Sequence, residues 1–593
     1  MKKLYTLALV CFCLQMSAQE ILPRTLTDEE RHILESGNFE RGGSVGIETP
    51  PNFTSLRAMA EWEEIQTITI TWTGFPGILK QITRAAKPEC EVLIITDDQP
   101  ETESFLMGSA AGGPLDNMDN VSMISPGFNS IWIRDYGANP VYANGVDSLL
   151  LVDWIYNRPR PLDDASPAAV AAFKGIPLYT TTAAPTDFVS TGGNFMSDGF
   201  GTSFSSELVL EENEPGNPYD VTTKDEEDID NLMMDFMGVE RYIKMETLPY
   251  DNIHHIDMHM KLIDEETLLV GEYPEGVADG PQINANIEYV LSNFNSMFGD
   301  PYEIVHIPMP DSPSGLYPDD NPSGYYRTYT NGVFVNETVI IPTYRTEYDT
   351  TALRIWQEAL PGYNIVGVDC DDQPETIIAL SGAIHCITKE IGVADPLLIS
   401  HQPLDDTDDD ENDYEVETYA NHRSGIANVK LFYKTELEGE YTEIELSPED
   451  GNTDWTGAIP AQPQGTTVYY YVEGEANSGK TMTRPMSAPE GYWSFDVTGE
   501  TINVHETNIA QFAPAFPNPA GAITCIPVSF EKGSKGTLAL YDVVGKKVKD
   551  IYVGQFPVGD SKYFFNAAEF RPGAYLLVLE AGNTKITQRI MVK

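Results

Sequence analysis

Glu91-Val92-Leu93-Ile94-Ile95-Thr96 is a nearly continuous apolar run, of the kind that forms a strand buried on both faces of a sheet. Before it, Ile65 to Trp72 alternates apolar and polar residues as a half-buried strand does. Further elements are predicted downstream: strands at Leu149–Trp154, Leu268–Glu272 and Val333–Pro342, and helices at Leu79–Ala86, Asp225–Met237, Ile283–Phe298 and Thr351–Leu360. Strands that alternate with helices predict one α/β unit over residues 52–400.

Two segments precede this unit. The basic start Met1-Lys2-Lys3, the apolar run Leu4–Met16 and the small pair Ser17-Ala18 predict a signal peptide over residues 1–18. Residues 19–51 are mostly polar and are predicted to be a propeptide or an N-terminal arm. Within them, a capping threonine and early glutamates predict a short helix over Thr27–Ser36.

The chain changes character after Ser400. The run Asp405-Asp406-Thr407-Asp408-Asp409-Asp410-Glu411 repels itself and marks a boundary, with a structural calcium loop as an alternative. Short alternating strands between turn clusters then predict an immunoglobulin-like β-sandwich over residues 401–500. Residues 506–593 are predicted to form a second, smaller all-β module.

The net charge of the chain limits the kinds of molecule that it is expected to bind. The 593 residues include 36 Lys and Arg against 91 Asp and Glu, a formal net charge of −55. Such a chain repels nucleic acid and anionic membranes and attracts cationic ligands, although acidic residues that only keep an exported protein soluble are the alternative. After the predicted signal peptide, no window approaches the ~20 apolar residues of a membrane span. We therefore expect neither a nucleic acid partner nor a membrane span.

Four cysteines follow the predicted signal peptide: Cys90, Cys370, Cys386 and Cys525. Four are too few for a disulfide scaffold of this size, and no Cys-x-x-Cys spacing indicates zinc. Cys386 ends the small-residue turn that begins at Ser381, late in the α/β unit. We interpret it as a covalent nucleophile, with a buried structural thiol as the alternative.

The stretch Asn129–Gly137 contains Trp132 and Asp135, which a strand period would place on opposite faces. A carboxylate beside an aromatic ring can hold a planar cation by hydrogen bonds and stacking. The alternatives are an ion pair between Arg134 and Asp135, or a Trp132 that only fills the core.

The stretch Asp251–His259 would project His255, Asp257 and His259 on one face if it were extended. Two interpretations compete. Three such ligands at a spacing of two suit a metal site, whereas a histidine beside an aspartate also suits acid/base catalysis on a bound substrate. We favour acid/base catalysis, because no further ligand set is apparent and a nucleophilic thiol would need such a histidine.

Two more groups are candidates. Asn331 lies at the start of a predicted strand and its amide can orient a nucleophile or substrate, although an Asn-Gly turn is the simpler explanation. Arg158 and Arg160, held by prolines in an extended arm, predict a carboxylate or phosphate site. Pairing of these arginines with Asp163 and Asp164 is the alternative.

These motifs, in this order, resemble those of bacterial peptidylarginine deiminases and the related agmatine deiminases. The resemblance extends from about Glu61 to Glu390, and its motifs are Trp132–Gly137, Thr191–Asn194 with Asp198–Thr202, His255–Asp257, Thr330-Asn331 and Gly382–Thr388. It implies a guanidine-modifying enzyme whose catalytic domain is a five-bladed α/β propeller. It also implies that no metal or organic cofactor is needed.

The resemblance implies a role for each matching residue. Asp135 and Asp257 would bind the two edges of a guanidinium, and Trp132 would pack along the substrate side chain. Cys386 would attack the central carbon to form a covalent thiouronium, and His255 would protonate the leaving ammonia and then activate water. Asn331 would support the nucleophile.

The sequence departs from the agmatine deiminase pattern at two places. Thr191 stands where those enzymes carry an acidic residue, and Ser381-Gly382-Ala383 replaces a run of glycines. Because Arg158 and Arg160 could grip a carboxylate that agmatine lacks, we predict a protein-arginine deiminase that prefers C-terminal arginine. The alternatives are a secreted agmatine or free-arginine deiminase and a catalytically inactive surface binding protein.

Roughly the final 85 residues, a length within the usual range of a domain, resemble the C-terminal sorting domains of bacterial type IX secretion substrates. The resemblance rests on Phe516-Pro517-Asn518-Pro519 at the start and Arg589-Ile590-Met591-Val592-Lys593 at the end. It implies the type IX secretion machinery as a partner, a secreted or surface-attached protein, and removal of the sorting domain.

Overall fold

The structure is a computed structural model that describes residues 21–42, 45–319, 325–449, 451–498, 510–512, 514–521, 523–530, 532–542, 546–581 and 584–593. The predicted signal peptide, residues 1–18, lies outside the described residues. We call residues 21–42 the N-terminal arm. No helix in the described ranges has the length and apolar character needed to cross a membrane.

Helices and short strands alternate through residues 56–392. In the described ranges the α-helices are α1 Asp28–Glu35, α2 Pro76–Ala86, α3 Gln99–Leu106, α4 Ile133–Tyr136, α5 Pro161–Lys174, α6 Leu208–Glu211, α7 Glu226–Met237, α8 Gly280–Asn293 and α9 Thr346–Ala359. The strands up to residue 392 are β1 Leu56–Ala58, β2 Ile65–Thr71, β3 Glu91–Ile95, β4 Val121–Ile124, β5 Asn139–Ala143, β6 Ser148–Tyr156, β7 Leu178–Thr181, β8 Val189–Ser190, β9 Met196–Ser197, β10 Thr202–Ser206, β11 Arg241–Met245, β12 Met260–Leu262, β13 Thr267–Glu272, β14 Glu303–Pro308, β15 Val333–Val335, β16 Thr338–Thr343, β17 Asn364–Asp369 and β18 Lys389–Gly392.

One structural unit recurs five times in these residues. Each unit is an antiparallel strand pair, a helix, and a third strand parallel to the second: β18-β2-α2-β3, β5-β6-α5-β7, β9-β10-α7-β11, β12-β13-α8-β14 and β15-β16-α9-β17. Parallel strands need a crossover connection, and a helix is the usual one. In the first unit, the strand antiparallel to β2 is β18, which comes from the end of residues 56–392. The repeat is structural, and no internal sequence repeat predicted it.

The strands predicted from apolar runs are present, except that Val333–Pro342, predicted as one strand, forms the antiparallel pair β15 and β16 with a turn at Asn336. Val92, Leu93 and Ile94 of β3 are fully buried, as a strand covered on both faces should be. Complete burial of each such side chain stabilises the fold by about 1.5–3 kcal/mol. The predicted α1 is also confirmed, and Thr27 and Glu30 form a reciprocal capping box at its start.

Two antiparallel sheets follow the α/β region. Their strands are β19 Leu398–Ser400, β20 Tyr414–Asn421, β21 Ile426–Lys434, β22 Thr442–Glu445, β23 Ser447–Pro448, β24 Asp454–Ile459, β25 Thr466–Ala476, β26 Thr481–Arg484 and β27 Trp493–Val497. One sheet has the order β19-β20-β24-β23, and the other has β22-β21-β25-β26 with β27 beside β25. Tyr414 and Phe495 bring the sheets together, with ring centroids 5.0 Å apart.

The C-terminal residues form a separate compact unit. Its strands are β28 Ala510–Phe512, β29 Ile523–Phe530, β30 Ser534–Asp542, β31 Lys547–Phe556, β32 Gly559–Asn566, β33 Gly573–Ala581 and β34 Thr584–Val592. They form two antiparallel sheets, β28-β29-β32 and β31-β30-β33-β34. A shared cluster of buried side chains, including Phe530, Leu538 and Leu577, is its core.

Candidate active site

The candidate site residues occupy the same topological position in the five repeated units. Each stretch lies just before the strand that forms the antiparallel pair of its unit: Asp135 before β5, Gly192-Gly193 before β9, His255 to Asp257 before β12, Asn331 before β15, and Cys386 before β18. Three of these stretches are single 3₁₀ turns, at Gly192–Asn194, Ile256–Met258 and His385–Ile387. Because each unit has its turn at the same position, the five turns bring their side chains close together in space.

The point of convergence holds the guanidinium of Arg24, a residue of the N-terminal arm. Arg24 Nε and Nη2 donate to Asp135 Oδ2 and Oδ1 at 3.0 and 2.8 Å. Arg24 Nη1 and Nη2 donate to Asp257 Oδ1 and Oδ2 at 3.2 and 3.1 Å. Two edges of one planar cation are therefore each held by a bidentate carboxylate, the geometry that best matches an arginine fork.

This arrangement is fully buried. Arg24 is 0% exposed, and Asp135 and Asp257 are each 1% exposed. Burial raises the pKa of both carboxyls, but the Arg24 guanidinium, together with His255 at Asp135 and His385 at Asp257, holds both pKa values well below their ordinary range. Both aspartates are therefore ionised at neutral pH while a cation lies between them.

Cys386 faces the same guanidinium. Arg24 Nη1 lies 2.7 Å from Cys386 Sγ, and the backbone N–H of Ala383 donates to this sulfur at 3.3 Å. Burial raises the pKa of the Cys386 thiol, the Arg24 guanidinium lowers it, and the two aspartates raise it again, with a net rise. A cation against the sulfur is thus the main local influence that favours the thiolate.

His255 lies on the Asp135 side of the site. Its Nδ1 is 3.4 Å from Asp135 Oδ1, and its Nε2 faces Thr191 Oγ1 at 3.0 Å. Burial lowers the pKa of His255 and the Arg24 guanidinium lowers it further, so the imidazole is neutral at neutral pH. The contact with the Thr191 hydroxyl orients the ring that was predicted from the sequence to be the acid/base group.

Asn331 lies behind the thiol and is fully buried. Its Oδ1 is 3.3 Å from Cys386 Sγ and accepts a hydrogen bond from the backbone N–H of His385 at 3.1 Å. Its Nδ2 donates to the carbonyl of Asp257 at 3.1 Å. The amide thus links the turns that carry the thiol and the second carboxylate, while the hairpin turn between β15 and β16 is made by Asn336, with φ 52°.

A second layer of charge supports Asp257. His385 Nδ1 lies 2.9 Å from Asp257 Oδ2, and His385 Nε2 lies 2.8 Å from Glu61 Oε1. Lys261 Nζ pairs with Glu61 Oε2 at 2.6 Å. Because these contacts hold His385 from both sides, Asp257 has one orientation toward the guanidinium.

The predicted conformations of two stretches are wrong. Trp132 and Asp135 do not lie on a strand, since Ile133–Tyr136 is one helical turn. Arg134 pairs with Glu390 at 2.6 Å rather than with Asp135. The indole Nε1 of Trp132 donates to the Leu22 carbonyl of the arm at 2.9 Å, and its ring packs where a side chain at Gly382 would stand.

The stretch Asp251–His259 is not extended either. The 3₁₀ turn at Ile256–Met258 separates His259 from the site. Both ring nitrogens of His259 are buried and have no hydrogen-bond partner among the described residues. Burial lowers the pKa of His259 to about 4. In the described ranges, no group of three or more His, Cys, Asp or Glu side chains is arranged to hold a metal ion.

Arg158 and Arg160 both contact the N-terminal arm. Arg158 Nε donates to the Arg24 carbonyl at 3.1 Å. Arg160 Nε donates to Glu30 Oε1 at 2.7 Å, and Arg160 Nη2 donates to the Pro23 carbonyl at 2.7 Å. The alternative that pairs these arginines with Asp163 and Asp164 is wrong, because those carboxylates accept hydrogen bonds chiefly from backbone N–H groups.

Gly193 forms the wall behind the guanidinium. A Cβ at this position would lie 1.9 Å from Arg24 Nη2 and 2.8 Å from His255 Nδ1. A Gly193→Ala variant is therefore expected to lose up to about 100-fold in kcat/KM for an arginine substrate, because it displaces the bound group. Steady-state citrulline formation measures this loss.

A matched control is Gly271→Ala, whose added Cβ crowds Met309 and does not touch the guanidinium. Thermal unfolding of both variants separates loss of binding from loss of folding. An unchanged kcat/KM for Gly193→Ala would contradict the assignment of this wall.

Sequence reasoning assigned no role to several groups at the site: Arg24, Glu61, Thr191, Gly193 and His385. The Gly192-Gly193 pair was a usable signal, since paired glycines mark a close approach to a ligand. Arg24 had no such signal, because nothing local relates it to residues 111 to 362 positions away.

Comparison with known proteins gives two family matches. Residues 57–391 match the model of the Porphyromonas-type peptidyl-arginine deiminase, and residues 514–593 match that of the secretion system C-terminal sorting domain. A Marinomonas sp. (strain MWYL1) protein, provisionally named an agmatine deiminase, is 23% identical over 374 residues, which are 59% of this chain and 97% of that protein.

Two solved structures are also similar. An agmatine deiminase of C. jejuni with substrate bound has 21% identity and a TM-score of 0.47, over 57% of this chain and 97% of the other. A structure from Porphyromonas gingivalis has 21% identity and a TM-score of 0.48, over 56% of this chain and 98% of the other.

Proposed function

Because the chain belongs to the Porphyromonas-type peptidyl-arginine deiminase family, we propose that it converts peptidyl-arginine to citrulline and ammonia with Cys386 as nucleophile. The family consists of hydrolases that act on C–N bonds and need no cofactor. The observation that carries the proposal is a polypeptide arginine whose guanidinium contacts Asp135, Asp257 and the Cys386 sulfur at once.

In the proposed first step, Cys386 Sγ bonds to the guanidinium carbon and the bond to one terminal nitrogen breaks. The thiol proton is passed by way of His255 to that nitrogen, which leaves as ammonia, and a cationic thiouronium remains. Nη2 is the leaving nitrogen that we favour, because Nη2 and His255 Nδ1 both lie within 3 Å of the point where a Gly193 Cβ would stand.

In the second step, His255 removes a proton from water, whose oxygen bonds to the same carbon. The carbon–sulfur bond then breaks, the second proton of the water restores the thiol, and His255 releases the first proton to solvent, which leaves a neutral citrulline. Asp135 and Asp257 hold the cation throughout, so its charge is neutralised in a site from which bulk water is excluded. The neutral product loses both ionic contacts, which favours its release.

Arg158 supports a peptidyl substrate over agmatine. Its Nε binds the backbone carbonyl of the docked arginine at 3.1 Å, and agmatine has no carbonyl there. A C-terminal arginine would present a carboxylate at this point, and a hydrogen bond to a charged acceptor is about twice as strong as one to a neutral acceptor. We therefore keep C-terminal arginine as the proposed preference, with Arg160 as a second contact.

The test compares three substrates with full-length protein: a peptide that ends in arginine, the same peptide with an amidated end, and agmatine. We expect kcat/KM to fall in that order, and Arg158→Ala to lower it about tenfold for the first peptide and little for agmatine. Arg423→Ala, which removes a half-exposed arginine paired with Asp395 in a turn after β20, is the matched control. Fastest turnover of agmatine, unaffected by Arg158→Ala, would favour an agmatine deiminase.

The sorting domain indicates export to the outer surface or medium, which implies the type IX secretion machinery as a partner. We further propose that the five repeated units are the blades of a five-bladed propeller, and that residues 401–500 are an immunoglobulin-like spacer. We also propose that the signal peptide, residues 1–18, and the sorting domain, residues 506–593, are removed. A structural calcium ion in the acidic run Asp405–Glu411 is part of the same proposal. Mass spectrometry of the secreted protein tests the two processing events.

A further inference from the structure

The group in the guanidinium site is part of this chain. Arg24 precedes the region that matches the deiminase family, residues 57–391, so it is an addition to the catalytic unit. Its side chain contacts both carboxylates and the sulfur to which the proposed mechanism binds a substrate guanidinium.

The backbone around Arg24 is held as firmly as its side chain. The Leu22 carbonyl accepts from the Trp132 indole at 2.9 Å, and the Arg24 N–H donates to the Leu380 carbonyl at 2.9 Å. The Arg24 carbonyl accepts from Arg158. The arm therefore lies in the cleft as an extended peptide, hydrogen-bonded on both sides of the arginine.

Two further anchors lie beyond the site. Glu30 forms a buried ion pair with Arg160, which holds the pKa of Glu30 below its ordinary value against the effect of burial. Leu34 of α1 packs with Ile155, Val189 and Tyr219 in a small apolar cluster. These contacts add to those of the guanidinium, so loss of either set weakens docking of the arm.

We infer that the N-terminal arm is an intramolecular pseudosubstrate that keeps the deiminase latent until the arm is displaced or cut away. The inference rests on the proposed function. While the arm is docked, Arg24 occupies the pair of carboxylates and the thiol, and the arm also uses both Arg158 and Arg160. A tethered ligand competes at a high effective concentration, so a free substrate is excluded even when it is abundant.

The docked arm also indicates that the cleft can accept an internal arginine in addition to the preferred C-terminal one. The chain continues from Arg24 in both directions, toward Pro23 and toward Thr25, without leaving the cleft. An arginine within an extended segment therefore fits the site once the arm has left it. Turnover of Arg24 itself is disfavoured, because the hydrolytic water must reach a carbon whose surroundings are 0–1% exposed while the arm stays anchored.

The experiment uses full-length protein and citrulline formation from an arginine-ending peptide. Arg24→Ala is expected to raise activity about tenfold or more, since a site that is open less than a tenth of the time becomes open throughout. Arg31→Ala is the matched control, because it removes the same charge from an exposed position of the same arm. We expect it to leave activity unchanged.

Two further arms keep the test decisive. Glu30→Ala leaves the carboxylates and the thiol intact, so it tests release of the arm even if Arg24→Ala fails to fold. A synthetic peptide of residues 21–36 is expected to inhibit the Arg24→Ala protein, and the same peptide with alanine for arginine is not. Equal activity in wild type, Arg24→Ala and Glu30→Ala would overturn the inference.

Binding separates this inference from the proposed function. In a Cys386→Ala background, Arg24→Ala is expected to bind a fluorescent arginine-ending peptide about tenfold more tightly. Tighter binding without any citrulline in any variant would uphold the pseudosubstrate and reject the deiminase function. Citrulline at position 24 of the purified wild-type protein would overturn the inference, since a neutral side chain no longer blocks a cation site.

Discussion

Cys386→Ala is expected to lower citrulline formation by about 10⁴-fold or more, the scale of loss seen when a covalent nucleophile is removed. The physical reason is that the sulfur is the group placed against the guanidinium, 2.7 Å from Nη1 of the docked arginine. No neighbouring side chain in the described structure replaces it, because Asn331 and Ala383 offer only an amide oxygen and a backbone N–H there. Ammonia release is measured in the Arg24→Ala background, in which the site is open, so that activity is high enough for a loss of this size to be detected.

The matched control is Cys90→Ala. Cys90 is also a buried thiol of the catalytic unit, and burial raises its pKa to about 12. It lies next to β3 in the core rather than beside the guanidinium, so its loss should change stability slightly and activity little. If the two alanine variants were equally active, the chain would have a different nucleophile or no deiminase activity.

Asp257→Asn is the second large effect that we expect, a fall in kcat/KM of about 10²- to 10⁴-fold. Removal of one partner of a buried ion pair costs about 3–5 kcal/mol, and each 1.36 kcal/mol is a factor of ten in rate. Asp257 makes hydrogen bonds to Nη1 and Nη2 and is itself held by His385. The asparagine side chain of the variant has no negative charge, and its amide N–H group faces a donor N–H group of the guanidinium.

The loss should appear mainly in KM, because the carboxylate binds the ground-state cation and the thiouronium alike. Asp235→Asn removes one charge from an exposed position of α7 and serves as the control for overall charge. A kcat/KM within threefold of wild type for Asp257→Asn would show that the substrate cation is held elsewhere.

The fold was predictable where a local pattern has one physical meaning. The Val92–Ile94 core of β3 and the capping box of α1 both follow from neighbouring residues alone. Predictions failed where a regular period was assumed for residues at a turn. Trp132 directly precedes the helical turn that contains Asp135, and His255 directly precedes the 3₁₀ turn that contains Asp257, so neither alternation in a strand nor a shared face applies.

The candidate catalytic groups could be selected because their motifs are short and ordered along the chain, and the turns before β5, β12, β15 and β18 place those same residues around one point. The supporting residues were not. His385 and Glu61 are separated by 324 positions and meet only because β18 pairs with β2 at the closing end of the region. A local pattern contains no information about such a contact.

The sequence by itself identified most of the strands and helices and selected the thiol, the two carboxylates and the histidine as candidates, because each depends on residue type and near neighbours. Only the tertiary structure decided what lies between the carboxylates. Arg24 reaches Asp135, Asp257 and Cys386 across 111, 233 and 362 positions. Its placement depends on three-dimensional complementarity between a planar cation and a cleft, which exists only after the repeated units have packed together.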